Sequence, residues 1–138
     1  MNNIKTFNLF LATFISLSLY SNEEICTAKK IQTMKASFPA AKISGYSVVE
    51  FDVGKDGDIK KPKVIVSKCL LKNKKTNNRE FQDCGIFKYD SINAARFIKY
   101  SNPTNSKGMP CELKNQKHEY TFLYDRENDL KFFDERSN

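Results

Sequence analysis

Histidine occurs once in this chain, at His118, and glycine and proline are scarce, with five and four copies. The few glycines form no glycine-rich phosphate-binding loop. The four prolines make no extended, proline-rich linker. None of the four cysteines stands in a Cys-x-x-Cys pair, which removes the spacing that a zinc site wants. The EF-hand pattern is missing as well. Asp52, Asp56 and Asp58 cluster, but glycine at the sixth place and glutamate at the twelfth are absent, so turn chemistry accounts for these aspartates. A lone histidine on an alternating segment reads as a packed or surface residue rather than a base. The sequence therefore carries no catalytic constellation and no cofactor motif, and the expected function is not enzymatic.

What is present begins with an export pattern. Met1–Lys5 carries one positive charge, Phe7–Tyr20 is a nearly continuous apolar run, and Asn22-Glu23-Glu24 turns the chain polar. This three-part layout predicts a signal peptide over residues 1–21. The competing reading is an uncleaved inner-membrane anchor, but a spanning helix wants about 20 apolar residues and this run is shorter. Cys26 lacks the small and apolar residues before it that a lipobox requires. Removing residues 1–21 leaves 22 basic against 16 acidic residues, a net charge near +6. Behind a signal peptide this charge does not imply nucleic acid. It suits an acidic partner, a peripheral contact with an anionic surface, or solvent. Cys26, Cys69, Cys84 and Cys111 are even in number and would meet an oxidising compartment, which predicts two disulfides. Cys69 and Cys84 flank one polar stretch and form the first expected bridge, which leaves Cys26 for Cys111. The two other pairings stay open.

Along the mature chain, residues 22–37 hold apolar groups at helical spacing (Ala28, Ile31, Met34), which predicts a short helix before Pro39. From Tyr46 to Val53 the residues alternate, with Ser47, Val49, Phe51 and Val53 on one side; this is a half-buried strand. Lys55-Asp56-Gly57-Asp58 reads as a turn, and Ile59–Cys69 as the returning strand of a hairpin. Leu70–Asp83 is polar, basic and asparagine-rich, an expected exposed loop. Phe87, Ser91, Ala94, Ala95 and Ile98 recur at three and four residues, which predicts a helix ended by Asn102-Pro103. Lys117–Tyr124 alternates again as a third strand, and residues 126–138 form a charged tail.

This order resembles the C-terminal domain of the TonB family of periplasmic energy transducers, across about eighty residues from Gly45 to Tyr124. Ser91, Ile92, Ala94, Ala95, Ile98 and Tyr100 fall at the family's helix positions, and Gly108-Met109-Pro110 matches its Gly-x-Pro before the last strand. Three departures stand out. Ile98 replaces the usual tryptophan, Pro103 comes one residue late, and the segment between Cys69 and Cys84 is long. The proline-rich spacer and the membrane helix with a polar histidine face are not seen, so the expectation is a stand-alone, secreted TonB-like domain. The resemblance implies an α+β fold over residues 38–125, a three-stranded antiparallel sheet packed on one helix. It also implies a protein-binding role in which a partner's segment adds to the last strand. That partner would be an outer-membrane or periplasmic protein. The residues expected to meet it are Lys117, Glu119, Thr121 and Leu123. The alternative is an envelope-accessory domain that binds anionic surfaces through the basic stretch 72–79 (Lys72, Lys74, Lys75, Arg79).

Overall fold

Strict alternation over Gly45–Val53 makes this segment (β2) the central strand, because every second side chain can be buried under one layer. Ser47, Val49, Phe51 and Val53 are buried, and the residues between them are half-buried. In the computed structural model, which describes residues Glu24–Asn138, β2 sits in a four-stranded antiparallel sheet. Its partners are β3 (Ile59–Lys72), β4 (Arg79–Asp83) and β6 (Leu113–Phe122), in the order β4-β3-β2-β6. A second, two-stranded sheet joins β1 (Lys30–Gln32) to β5 (Lys99–Tyr100). Two helices, α1 (Lys88–Ala95) and α2 (Arg126–Arg136), complete the described residues.

The expected three-stranded sheet on one helix is therefore corrected to two sheets and two helices. Each difference has a physical cause. Residues 24–37 form no helix. The Cys26–Cys111 disulfide and paired bonds between Thr27 and Thr104 tie this segment down as extended chain, and Lys30 then pairs with Tyr100. The stretch after Cys69 is no simple loop. β3 runs on to Lys72, turns through Asn73–Asn78 and returns as β4, with Leu70 opposite Phe81. The Asn73 side chain builds that turn by accepting the amides of Lys75 and Thr76. α1 stops at Ala95 rather than near Asn102, because Ile98, Lys99 and Tyr100 alternate buried, exposed, buried in strand fashion. β6 starts four residues earlier than expected and ends at Phe122, leaving Tyr124 exposed. The charged tail is helix α2, capped by the Asp125 side chain, which accepts the Asn128 amide at 3.2 Å. The expected signal peptide lies outside the described residues.

α1 covers one face of the sheet. Phe87, Ser91, Ala94, Ala95 and Ile98, the five residues the spacing singled out, are all buried. Small side chains let helix and sheet approach closely. Ser91 and Ser47 share a buried hydroxyl–hydroxyl bond, and Phe87 stacks on Phe122 at 4.2 Å. Gly45 is required here: a Cβ would lie 2.2 Å from the Phe87 ring and from the Lys68 carbonyl oxygen. Gly57 in the hairpin turn has φ +81° and presses on the Tyr100 carbonyl, where a Cβ would come within 2.1 Å. Burying each of Phe51, Phe87 and Phe122 contributes about 1.5–3 kcal/mol.

α2 covers part of the opposite face by different means. Phe133 and Phe81 meet edge to face at 5.1 Å, and Phe81 meets Tyr46 in the same way. At the centre of the contact Asp129, only 2% exposed, accepts hydrogen bonds at 2.6 Å from both the Arg79 guanidinium and the Ser44 hydroxyl. Ser44 in turn accepts the Tyr124 amide at 2.8 Å, so the chain leaving β6 is tied to the chain entering β2. Burial works to raise the Asp129 pKa, but the bonds from Arg79 and Ser44 outweigh it and hold the carboxyl below its ordinary value.

Two disulfides close the structure: Cys26–Cys111 with Cα atoms 6.1 Å apart, and Cys69–Cys84 at 5.7 Å. These are the first-expected pairings. In the chain-entropy picture, the loops they close stabilise the fold by roughly 4–5 and 3 kcal/mol. Among the described residues no helix is long and apolar enough to cross a membrane.

Candidate partner-binding edge

A strand at the end of a sheet has backbone donors and acceptors that no neighbour uses. β6 is such a strand. It pairs with β2 on one side, from Leu113 opposite Val53 to Phe122 opposite Gly45, and no described strand flanks its other side. Alternation divides its side chains. His118, Tyr120 and Phe122 turn toward the α1 face, with Tyr120 and Phe122 buried, whereas Lys117, Glu119 and Thr121 are exposed. Three of the four expected contact residues thus share one strand and one face. Leu123 does not. It lies one position beyond β6 and is half-buried in the link toward α2.

The exposed residues differ in freedom. Glu119 holds Arg136 of α2 through two bonds, at 3.1 and 2.5 Å. The Arg136 guanidinium also lies 3.7 Å over the Tyr46 ring, so α2 reaches across to the edge strand. Lys117 and Thr121 make no ion pair or side-chain hydrogen bond among the described residues. Any partner along β6 would meet these two side chains first. At the far end of the strand Asn115 adopts φ 53°, and its amide donates to the Asp52 carboxylate at 3.0 Å. Asp52 is held below its ordinary pKa chiefly by that bond, so the acidic residue is part of the bulge that shapes this end of the edge.

His118 on the inner face is half-buried. Its Nδ1 lies 3.1 Å from the Lys30 ammonium, and its ring meets Tyr120 edge to face at 4.6 Å. Burial first, and then the Lys30 charge, lowers the His118 pKa, against a smaller opposing pull from Glu119. The imidazole is therefore neutral at pH 7, and Nδ1 accepts from Lys30. Tyr120 beside it is pushed up to about 12 by burial, and its hydroxyl has no hydrogen-bond partner. Lys30 and His118 thus link β6 to β1, which in turn pairs with β5.

The basic stretch 72–79 is split by the fold. Lys72, Lys74 and Lys75 are exposed around the β3–β4 turn. Arg79 is not part of that patch, because Asp129 binds it and its guanidinium lies 5.4 Å from the centre of the Phe132 ring. Among the described residues no group of three His, Cys, Asp or Glu side chains is arranged to hold a metal. The Asp129–Arg79–Ser44 node was missed from sequence. The signal available was the acidic first turn after Asp125, which marks a helix start. No protein-family model matches this chain, and no curated protein matches it either.

Proposed function

We propose that this domain is a periplasmic protein-binding module that holds an extended segment of a partner by strand addition along β6. The single observation that carries the reading is the ten-residue outer edge of β6, which no described strand covers. Main-chain hydrogen bonds along such an edge supply affinity, and side chains at alternate positions, here Lys117 and Thr121, select the partner. Two disulfides and the export pattern are in keeping with an oxidising extracellular or periplasmic compartment, and the TonB-family resemblance favours the periplasm. The TonB-family resemblance points to the same edge. The module needs no chemistry of its own, only a rigid edge, and α1, α2 and the β1–β5 sheet hold that edge in place.

Affinity capture from periplasmic extract, with the wild type and a Thr121→Pro variant side by side, tests the reading. Proline removes one donor from the strand. Loss of the captured protein by a variant with an unchanged circular dichroism spectrum is the expected result. A folded Thr121→Pro variant that captures the same protein in the same amount contradicts the reading. A second reading, attachment to an anionic envelope surface, is favoured by the three exposed lysines at the β3–β4 turn. It predicts capture that 0.5 M salt abolishes and that depends on Lys72, Lys74 and Lys75.

A further inference from the structure

The sheet has a second bare edge, and it is built differently from the first. β4 pairs with β3 only from Lys68 to Lys72, and a single further bond, from the Cys84 amide to the Ser67 carbonyl, extends the ladder. Before Ser67 the outer side of β3 has no described strand neighbour. A groove of about 570 Å³ opens there, lined by Val64–Lys68 of β3, by Asp83 and Cys84, and by Lys88 at the start of α1. Pro62 and the positive φ of Lys61 (52°) break the ladder farther up, and Cys84 already holds the Ser67 carbonyl. The usable edge is therefore the short run from Val64 to the Ser67 amide, with Ile65 as a bulge at its middle where the register with β2 shifts.

We propose that this edge is a second strand-addition site, and that it takes an extended acidic segment of another protein, laid down as a continuation of β4. Three observations carry it. Val64, Ile65 and Val66 are consecutive β-branched residues, and Ile65 is 41% exposed, an apolar contact that a facing strand would cover. Ser67 is 7% exposed, lines the groove, and its hydroxyl has no hydrogen-bond partner, so a buried polar atom waits at the floor of the site. The third observation is charge. Asp83, the acid in the lining, is bound by Lys68 at 2.7 Å, whereas Lys88 has no ion pair among the described residues and remains to attract a carboxylate. Lys60 and Lys61 extend the positive border past the end of the groove. The same charges disfavour a second copy of this chain. β3 carries no acidic residue from Ile59 to Lys72, so a second copy paired edge to edge would bring lysine rather than carboxylate toward Lys61 and Lys88. This site is independent of the proposal for β6.

The test is a titration of the ¹⁵N-labelled, disulfide-bonded protein with a capped seven-residue peptide of alternating glutamate and valine. Amide shifts and slowed exchange at Val64–Ser67 and at Lys88, with binding that weakens as salt rises, are expected. The same peptide with lysine in place of glutamate is expected to bind at least tenfold more weakly, as is the glutamate peptide to a Lys88→Glu variant. N-methylation of the peptide amides on one side only should abolish binding, and on the other side leave it unchanged, as a strand ladder requires. Any of four results overturns the proposal. These are absence of binding at millimolar peptide, shifts confined to Lys117–Phe122, unchanged affinity for Lys88→Glu, and a concentration-dependent dimer that protects Val64–Ser67 without peptide.

Discussion

The two faces of the four-stranded sheet are covered by helices that dock on opposite principles. α1 buries Ser91, Ala94 and Ala95 against the apolar row of β2, with Phe87 stacked on Phe122. α2 places a carboxylate, Asp129, between Arg79 and Ser44 and holds the edge strand through the Arg136–Glu119 pair. The first contact is written in periodicity, and its stability comes from area removed from water. The second depends on polar partners far apart in sequence, and its stability depends on geometry and pH. The contact made by α1 should therefore yield to truncation, and the contact made by α2 should yield to acid.

Truncation on the α1 side gives the largest expected effect. Phe51 is 2% exposed, and Phe51→Ala is expected to cost about 3–5 kcal/mol in urea unfolding, the usual range for emptying a buried aromatic position. Replacing Cys69 and Cys84 together by alanine comes next, at about 3 kcal/mol in the same assay, because the loop they close is released in the unfolded chain.

The α2 side is weaker, and its signature is pH. Asp129→Asn leaves Arg79 without its carboxylate. The Arg79 side chain is 39% exposed and can turn to water, so the expected cost is about 1–2 kcal/mol rather than that of a fully buried broken pair. The folded Asp129 pKa lies below its ordinary 3.8, so its contribution is complete above that value and is lost as pH falls through the folded pKa. On the other face, at the β6 edge, His118 beside Lys30 is also lowered, from 6.5, and acts in the same direction at higher pH, since the unfolded chain takes up the proton more readily. Stability should thus decline in two stages on acidification. His118→Gln should flatten the upper stage, and Asp129→Asn should reduce the lower one, to which Asp52 and Asp56, also held low, contribute, as followed by urea midpoints between pH 7 and 3. The smallest effect is expected for Glu119→Gln. The pair it breaks is partly exposed, and a loss of under about 1 kcal/mol should be seen with the fold intact.

The same contrast explains what could be read from the sequence. The alternation of Tyr46–Val53 and the spacing of Phe87, Ser91, Ala94, Ala95 and Ile98 describe surfaces that bury local patterns, and the structure buries those residues. The segment 24–37 misled because its helical spacing competes with a disulfide to Cys111 and pairing to Thr104 and Tyr100, contacts that no local pattern records. The polar stretch after Cys69 looked like loop because the β4 hairpin has little to bury, and Leu70 opposite Phe81 is its main apolar anchor. The tail carries only three apolar residues, Leu130, Phe132 and Phe133, among polar and charged ones. Its docking rests on Asp129, a residue that composition assigns to solvent. At the candidate site, strand and face were legible for Lys117, Glu119 and Thr121. The pairing of Glu119 with Arg136 was not, because it depends on where α2 lies.

The central claim is that a partner lies along the outer edge of β6. Photo-crosslinking in living cells tests it most directly, with a photoreactive amino acid placed in turn at Lys117, Thr121, Ile65, Lys72 and Lys75, all exposed positions. Strand addition at β6 predicts one discrete protein adduct shared by the Lys117 and Thr121 positions and missing from Lys72 and Lys75. An adduct formed at Lys72 and Lys75, with none at Lys117 or Thr121, would contradict the account.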